Sequence, residues 1–359
     1  MFSYPGAPQR PPFPASAQIS YISIKSAGDG TQGIVYFCLP KAFLPTSLPV
    51  TPGAFDAIRS KVVAVKVINE GPNSDESKEP LVRQLLEELG SALNVDTIGL
   101  QRFLPQVVDT HLIPQGVEQP WYAMSAIHGL TLHQLQVGAG SPLPPALIAH
   151  VFISVHSALK FLESKRISHR DIHGHNVMLE LKPLGPAIDQ GQTDQQSIRF
   201  PHVYLIDLGL AGARQVSEFC PDALRVIYLL NEAMGYTGQV CEPWRPLFSP
   251  AELTEVDAFY ASVDGVLKLA RAWNPGKRVG EDGEPKWTLD GVWNKWGGSA
   301  ENIRTNGVGM GMALDGEIGS QLSVKIVEDD DLTKALQMEG ILEGSDSEDD
   351  RSGLGSEAS

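Results

Sequence analysis

The sequence predicts an α+β fold in two lobes. An N-terminal antiparallel sheet with one main helix precedes a mainly helical, reduced C-terminal lobe. Three observations carry this. Short β-branched runs separated by turn residues fill the first 127 positions. The longest apolar stripe at helical spacing follows Pro144. Beyond Trp273 the text turns to Gly, Asp, Glu, Lys and Asn, which do not build a core. The divisions that follow are a disordered proline-rich leader over 1–17, a sheet lobe over 18–127 and a helical lobe over 128–274. An acidic, low-complexity and mostly disordered tail fills 275–359, with a docking helix near 330–342.

The elements follow in order. Residues 1–17 hold five prolines and no apolar periodicity. Residues 19–26 alternate as a strand, and Ile34 to Leu39 supply a second one after a glycine turn. Pro40 to Pro52 is a proline-rich insert. Lys61 to Ile68 is short and β-branched, which favours a buried strand over a helix. Over 80–93, Leu81, Leu85, Leu89 and Leu93 recur at i+4 and line one helical face. Trp121 to Ile127 forms a further strand. Pro144 and Pro145 suit a first helical turn, and Leu147, Val151, Val155, Leu159 and Leu162 give that helix its stripe. Strands at Val177 to Leu181 and Val203 to Ile206 bracket a polar insert, and helices follow over 222–234 and 250–273.

Charge and cysteines exclude several classes. The formal charge is −15, of which residues 328–359 carry −9, so the acidity is mainly that of the tail. Such a balance argues against a grip on nucleic acid. Cys38, Cys220 and Cys241 are scattered and unpaired in sequence, so no disulfide framework or cysteine-based zinc site is expected. The start lacks the apolar core of a signal peptide, and Ser, His and Lys break the longest apolar run, so no membrane partner is expected. A cytoplasmic or nuclear location follows, with the oligomeric state left open.

Four motifs occur in fixed order. The first is Gly28-x-Gly30-x-x-Gly33-x-Val35-Tyr36 between two strands. Glycines let a hairpin tip lie close over phosphates with its N–H groups turned toward them, although an ordinary hairpin turn reads the same. Because Gly33 opens a strand and not a helix, a dinucleotide-binding fold is disfavoured. The second is Ala64-Val65-Lys66. A lysine in so apolar a strand needs a partner, unless the strand is an edge from which it reaches water. The third is His169-Arg170-Asp171-Ile172-His173-Gly174-His175-Asn176, and the fourth is Asp207-Leu208-Gly209 after the next strand. Asp171, Asn176 and Asp207 present oxygen donors of the kind Mg²⁺ shares with phosphate. The three histidines have no further Cys/His cluster nearby, so zinc is disfavoured.

Taken together, Ile19 to Trp273 resembles the eukaryotic protein kinase family. The resemblance implies a bilobal protein-kinase-like fold with ATP and Mg²⁺ as cofactors. It places Lys66 on the α- and β-phosphates, Asp171 at the acceptor hydroxyl, and Asn176 and Asp207 on the metal, with Asp171, Lys66 and Asn176 as the catalytic set. The nucleotide would meet Gly28, Gly30, Gly33, Val35, Ala64, Lys66, Met124 and Ala126. Glu88, or alternatively Glu87, would pair with Lys66.

The expected activity is that of a Ser/Thr protein kinase acting on a protein substrate. Departures keep two alternatives open. His173 stands where Ser/Thr kinases usually carry Lys, as in kinase-like enzymes that phosphorylate small molecules. Asp222, which looks like the start of the family's central helix, follows Asp207 by only fifteen residues, and no Ala-Pro-Glu ends that segment. The late helices of the second lobe also look absent, which would suit a nucleotide-binding pseudokinase or scaffold.

Overall fold

The structure, a computed structural model, describes residues 12–30, 33–44, 52–68, 103–111, 119–139, 143–181, 200–213, 221–235, 239–240, 244–272, 288–307, 316–323 and 325–341. The fold is mixed α+β, and the chain divides into two compact units. Unit one takes Met1–Glu70, Asp109–Ala126 and Val327–Ser359, and unit two takes Gly71–Val108 and Ile127–Ile326.

Unit one is built on a five-stranded sheet. Its strands are β1 (Tyr21–Gly30), β2 (Gly33–Pro40), β3 (Val63–Ile68), β4 (Val107–His111) and β5 (Trp121–Ser125), joined in the order β1-β2-β3-β5-β4. The β2–β3 and β3–β5 pairings are antiparallel, and side chains alternate between faces. Val63, Val65 and Val67 therefore share one face of β3, where they pack with Cys38, Trp121 and Ala123. Ala64 and Lys66 lie on the other face.

The first face is covered by α1 (Ala15–Ser20), whose Ala17 is fully buried. Phe13 meets Tyr36 edge-on, and Trp121 Nε1 donates to Ser16 Oγ at 2.9 Å. The part of the leader from Pro12 onward is thus ordered, against the expectation for 1–17. A stripe of two residues, Phe13 and Ala17, is too short to stand out among prolines. The insert after β2 also carries structure, α2 (Pro52–Arg59).

The tail carries the docking helix expected near 330–342. The chain returns to unit one as α9 (Asp329–Met338), with Leu332, Ala335 and Leu336 buried. Its acids are not simply solvated. Asp331 pairs with Lys25 at 2.6 Å and Glu339 with Lys41 at 3.1 Å, while Asp329 binds Arg59.

Unit two centres on α4 (Pro145–Ser164), which Pro145 opens in its first turn. By length and composition this helix could cross a bilayer, but 83% of its apolar stretch is buried inside the protein, as a core helix requires. The unit also holds α3 (Leu132–Ala139), α5 (Pro221–Ala233), α6 (Pro250–Ala272), α7 (Leu289–Asn306) and α8 (Glu317–Leu322), of which α5 and α7 pack against α4.

Helix α7 falls where disorder was expected and corrects the end of the second lobe at 274. Thr288 caps its start by accepting from Gly291 N–H at 2.9 Å, and Gly307 ends it in the left-handed conformation with φ 58°. Between them Leu289, Val292, Trp296, Ala300 and Ile303 are buried. On α4, His156 donates from Nε2 to the Leu289 carbonyl at 3.0 Å and stacks on Trp293 at 4.7 Å.

Two predictions follow. Ending the chain at residue 274 strips α7 and α9 and exposes apolar side chains worth about 1.5–3 kcal/mol each. Calorimetry should then show loss of the cooperative transition, and an unchanged melting temperature would contradict the packing. Second, burial holds the His156 imidazole below its ordinary value, opposed by its bond to Leu289 and by Asp290 and Glu163 and aided by Lys160. The unfolded chain binds this proton more readily, so stability is complete above about pH 6.5 and declines as pH falls below it. The acid limb of the melting profile should be shallower in His156→Gln, whose amide can still donate to the Leu289 carbonyl.

Candidate active site

The loop after α4 is fixed from beneath by one carboxylate. Asp222, in the first turn of α5 and 3% exposed, accepts from Ser168 Oγ at 2.7 Å, His169 N–H at 2.8 Å and Arg170 N–H at 2.7 Å. A buried anion with three donors is satisfied, and a helix N-terminus favours its charge. Those bonds hold Arg170 at φ 67°, a left-handed conformation costly for a residue with a Cβ. The short strands β7 (Ile167–Ser168) and β10 (Gly212–Ala213) pair here. A side chain at Gly212 would collide with the Arg170 guanidinium.

His169 is fully buried and connects two loops. Its Nε2–H donates to the Ile206 carbonyl at 3.0 Å, which leaves Nδ1 to accept from Asp171 N–H at 3.3 Å. Burial keeps this ring neutral, with its pKa below the ordinary histidine value.

The next contacts gather the oxygen donors. β6 (Gly129–Thr131), β8 (Val177–Glu180) and β9 (His202–Leu205) form an antiparallel sheet in the order β6-β8-β9, with Val177 opposite Leu205. One step further, Ile206 N–H donates to the Asn176 carbonyl at 2.9 Å, so Asn176 and Asp207 emerge at the same end of this hairpin. The Asn176 amide nitrogen donates to the Asp171 carbonyl at 2.8 Å and lies 3.1 Å from its carboxylate. The amide oxygen is then the atom suited to a cation. Asp207 is left-handed at φ 61° and accepts from Gly209 N–H at 3.1 Å.

Among the described residues no cluster of three His, Cys, Asp or Glu is placed to hold a metal. An all-protein cage is therefore not what these residues offer. One amide oxygen and one carboxylate fit Mg²⁺, which keeps several waters and shares phosphate oxygens.

Sequence reasoning missed the neighbours of His173 and His175. The Nδ1 of His173 accepts from His175 N–H at 3.3 Å, and its Nε2 lies 3.1 Å from the Asn176 amide nitrogen and 3.4 Å from the Asp171 carboxylate. The His175 ring lies tilted against His133 of α3 with centroids 4.0 Å apart, and His133 Nδ1 is 3.8 Å from Glu232. Burial, and then the neighbouring imidazoles, lower the His175 pKa. No spacing signal links positions 133, 175 and 232.

In unit one the register places the predicted nucleotide residues on one sheet face. Gly28 pairs with Val35, Val35 with Lys66 and Lys66 with Tyr122, while Ala64 pairs with Met124. Ala126 follows β5. β3 lies between β2 and β5, and Lys66 is only 5% exposed, so the reading of an edge strand with a solvated lysine is excluded. Gly33, at φ 152°, has no room for a side chain because β3 approaches it at the Val67 carbonyl, whereas Gly28 faces open space. Gly30 pairs with Gly33 across the turn. Glu88, Glu87 and the 80–93 helix lie outside the described residues.

Over 118 residues, 33% of its length, the chain is 26% identical to human tyrosine-protein kinase ZAP-70, and it spans 17% of that protein. No protein-family model matches the chain. The relation found is thus a distant, kinase-like one over a third of the sequence.

Asp222→Ala should strip three donors of their partner and cost about 3 kcal/mol or more. Chemical denaturation measures this, and Asp222→Asn should fall between the two. A midpoint unmoved by the alanine would contradict the anchoring role.

Proposed function

We propose that the chain is an ATP- and Mg²⁺-dependent phosphotransferase of protein kinase type that acts on Ser/Thr hydroxyl groups of proteins. The observation that carries this reading is the placement of Asn176 and Asp207 at one end of the β8–β9 hairpin, with Asp171 bonded to Asn176. The distant likeness to a tyrosine kinase supports the reaction class, and the Ser/Thr preference rests on the motif resemblance alone.

In this reading the acceptor hydroxyl oxygen bonds to the γ-phosphorus as the bond to the bridging oxygen breaks, and ADP leaves. Asp171 takes or orients the hydroxyl proton, held for that task by the Asn176 amide, with the His173 ring 3.4 Å away. Lys66 neutralises the α- and β-phosphates, while Val35, Ala64, Met124 and Ala126 take the adenine side. Bound Mg²⁺ would be held by Asn176 and Asp207 and would supply charge neutralisation on the phosphates. Little covalent work falls to the protein, so positioning and electrostatics account for the rate.

A second reading, a small-molecule acceptor, is favoured by the segment 208–220. It returns as β10 against β7 and reaches α5 at Pro221, leaving little chain for a peptide platform. His173 in place of lysine points the same way. The scaffold reading loses support, because α7 fills out the lobe that looked reduced.

The test is ADP release from Mg²⁺-ATP with mass spectrometry of the acceptor, using peptide libraries in one arm and metabolite hydroxyls in the other. Asp171→Asn and Lys66→Met should each lower the rate by about 10²–10³-fold. Variants as active as wild type would overturn the assignment.

A further inference from the structure

Strand β1 is an irregular partner of β2. Its pairing slips between Ser23 and Lys25, and again between Ser26 and Gly28. Each slip is a bulge, which interrupts the ladder and lets the strand bend and twist. The two bulges bracket Lys25 and Ser26 and lie directly ahead of Gly28. The glycine-bearing end of the hairpin is therefore joined to the sheet through its least regular stretch.

That stretch is gripped by α9. Lys25 Nζ binds Asp331 Oδ2 at 2.6 Å, between the bulges. The same carboxylate oxygen accepts from Glu328 N–H at 3.2 Å as part of the capping box that starts the helix. Its charge is thus tied to the helix and to the strand together, and the lysine holds the carboxyl below the usual range.

Two further cations fasten the same helix. Arg59, 6% exposed at the end of α2, donates from Nε to the Val327 carbonyl at 2.8 Å and binds Asp329 with its guanidinium. Lys41, just after β2, binds Glu339 at 3.1 Å. With Leu332, Ala335 and Leu336 buried, α9 is a fitted part of this sheet and no loose tail.

We propose that α9 is a positioning element for the glycine-bearing ends of β1 and β2: by holding β1 between its bulges it fixes Gly28 and Gly30, and Gly33 paired to Gly30, for phosphate binding. Releasing the Lys25–Asp331 pair lowers nucleotide affinity while leaving the chemical groups in place. The ligand in this inference rests on the phosphotransfer reading, and the mechanical coupling does not. The pair is half-exposed, with side-chain exposures of 35% and 27%, so added salt weakens the hold. This places the C-terminal helix, some three hundred residues after β1, in control of the nucleotide hairpin.

The experiment uses the full chain, with hydrogen exchange over 21–30 and 329–338 read beside calorimetric titration of Mg²⁺·ATP. D331K should speed exchange in both segments and weaken Mg²⁺·ATP about three- to ten-fold, since reversal replaces an attraction by a comparable repulsion. The swap K25E/D331K should restore the exchange of 21–30 and the affinity, while 329–338 stays faster because a lysine cannot accept from Glu328 N–H in the cap. Asp331→Asn serves as the milder variant if D331K does not fold. Faster exchange confined to 329–338, with 21–30 and affinity unchanged, would overturn the proposal by making α9 a passive cover. A wild-type chain that binds no Mg²⁺·ATP would remove the phosphotransfer reading, and the exchange of 21–30 in D331K and the swap would then decide the coupling alone.

Discussion

Buried in the first turn of α5, the Asp222 carboxylate holds the backbone of residues 168–170, and the remaining contacts of the site build on that hold. Once those amides are fixed, Arg170 can occupy a left-handed conformation and His169 turns inward to the Ile206 carbonyl. Ile206 in turn bonds Asn176, and Asn176 bonds Asp171. Each group that would meet metal, phosphate or acceptor in unit two is thus a few hydrogen bonds from one charge. A buried carboxylate is costly to desolvate, and here three short donor bonds offset that cost.

The acidity of the chain has a structural use. Asp329, Asp331 and Glu339 belong to the segment that carries −9 of the formal charge, and they meet Arg59, Lys41 and Lys25 in unit one. Part of the tail's negative charge is therefore counter-charge for cations near the sheet. In unit two, the imidazole of His173 lies 3.4 Å from Asp171, where the motif resemblance leads one to expect a lysine.

Much of this was legible from sequence. The β-branched run at Lys61 to Ile68 and the stripe from Leu147 to Leu162 have one dominant periodicity, and β3 and α4 form there. The order of the four motifs placed Asp171, Asn176 and Asp207 on neighbouring loops, and the antiparallel pairing of β8 with β9 brings Asn176 and Asp207 to one end. Less was legible where local composition hides a stripe. Helix α7 carries apolar residues at helical spacing, yet Gly291, Gly297 and Gly298 interrupt it within a polar stretch. Helix α9 was legible near 330–342, but the pairing of its acids with Lys25, Arg59 and Lys41 was not. Asp222 was legible as a helix start but not as an anchor, and the meeting of His133, His175 and Glu232 arises only from tertiary packing.

The central claim is that the end of the β8–β9 hairpin binds metal together with phosphate. Calorimetric titration of ATP with and without Mg²⁺, in wild type, Asn176→Ala and Asp207→Ala, addresses it most directly. The account predicts that Mg²⁺ strengthens ATP binding in the wild type and that either substitution abolishes this gain in a folded protein. A gain retained in both variants would contradict it.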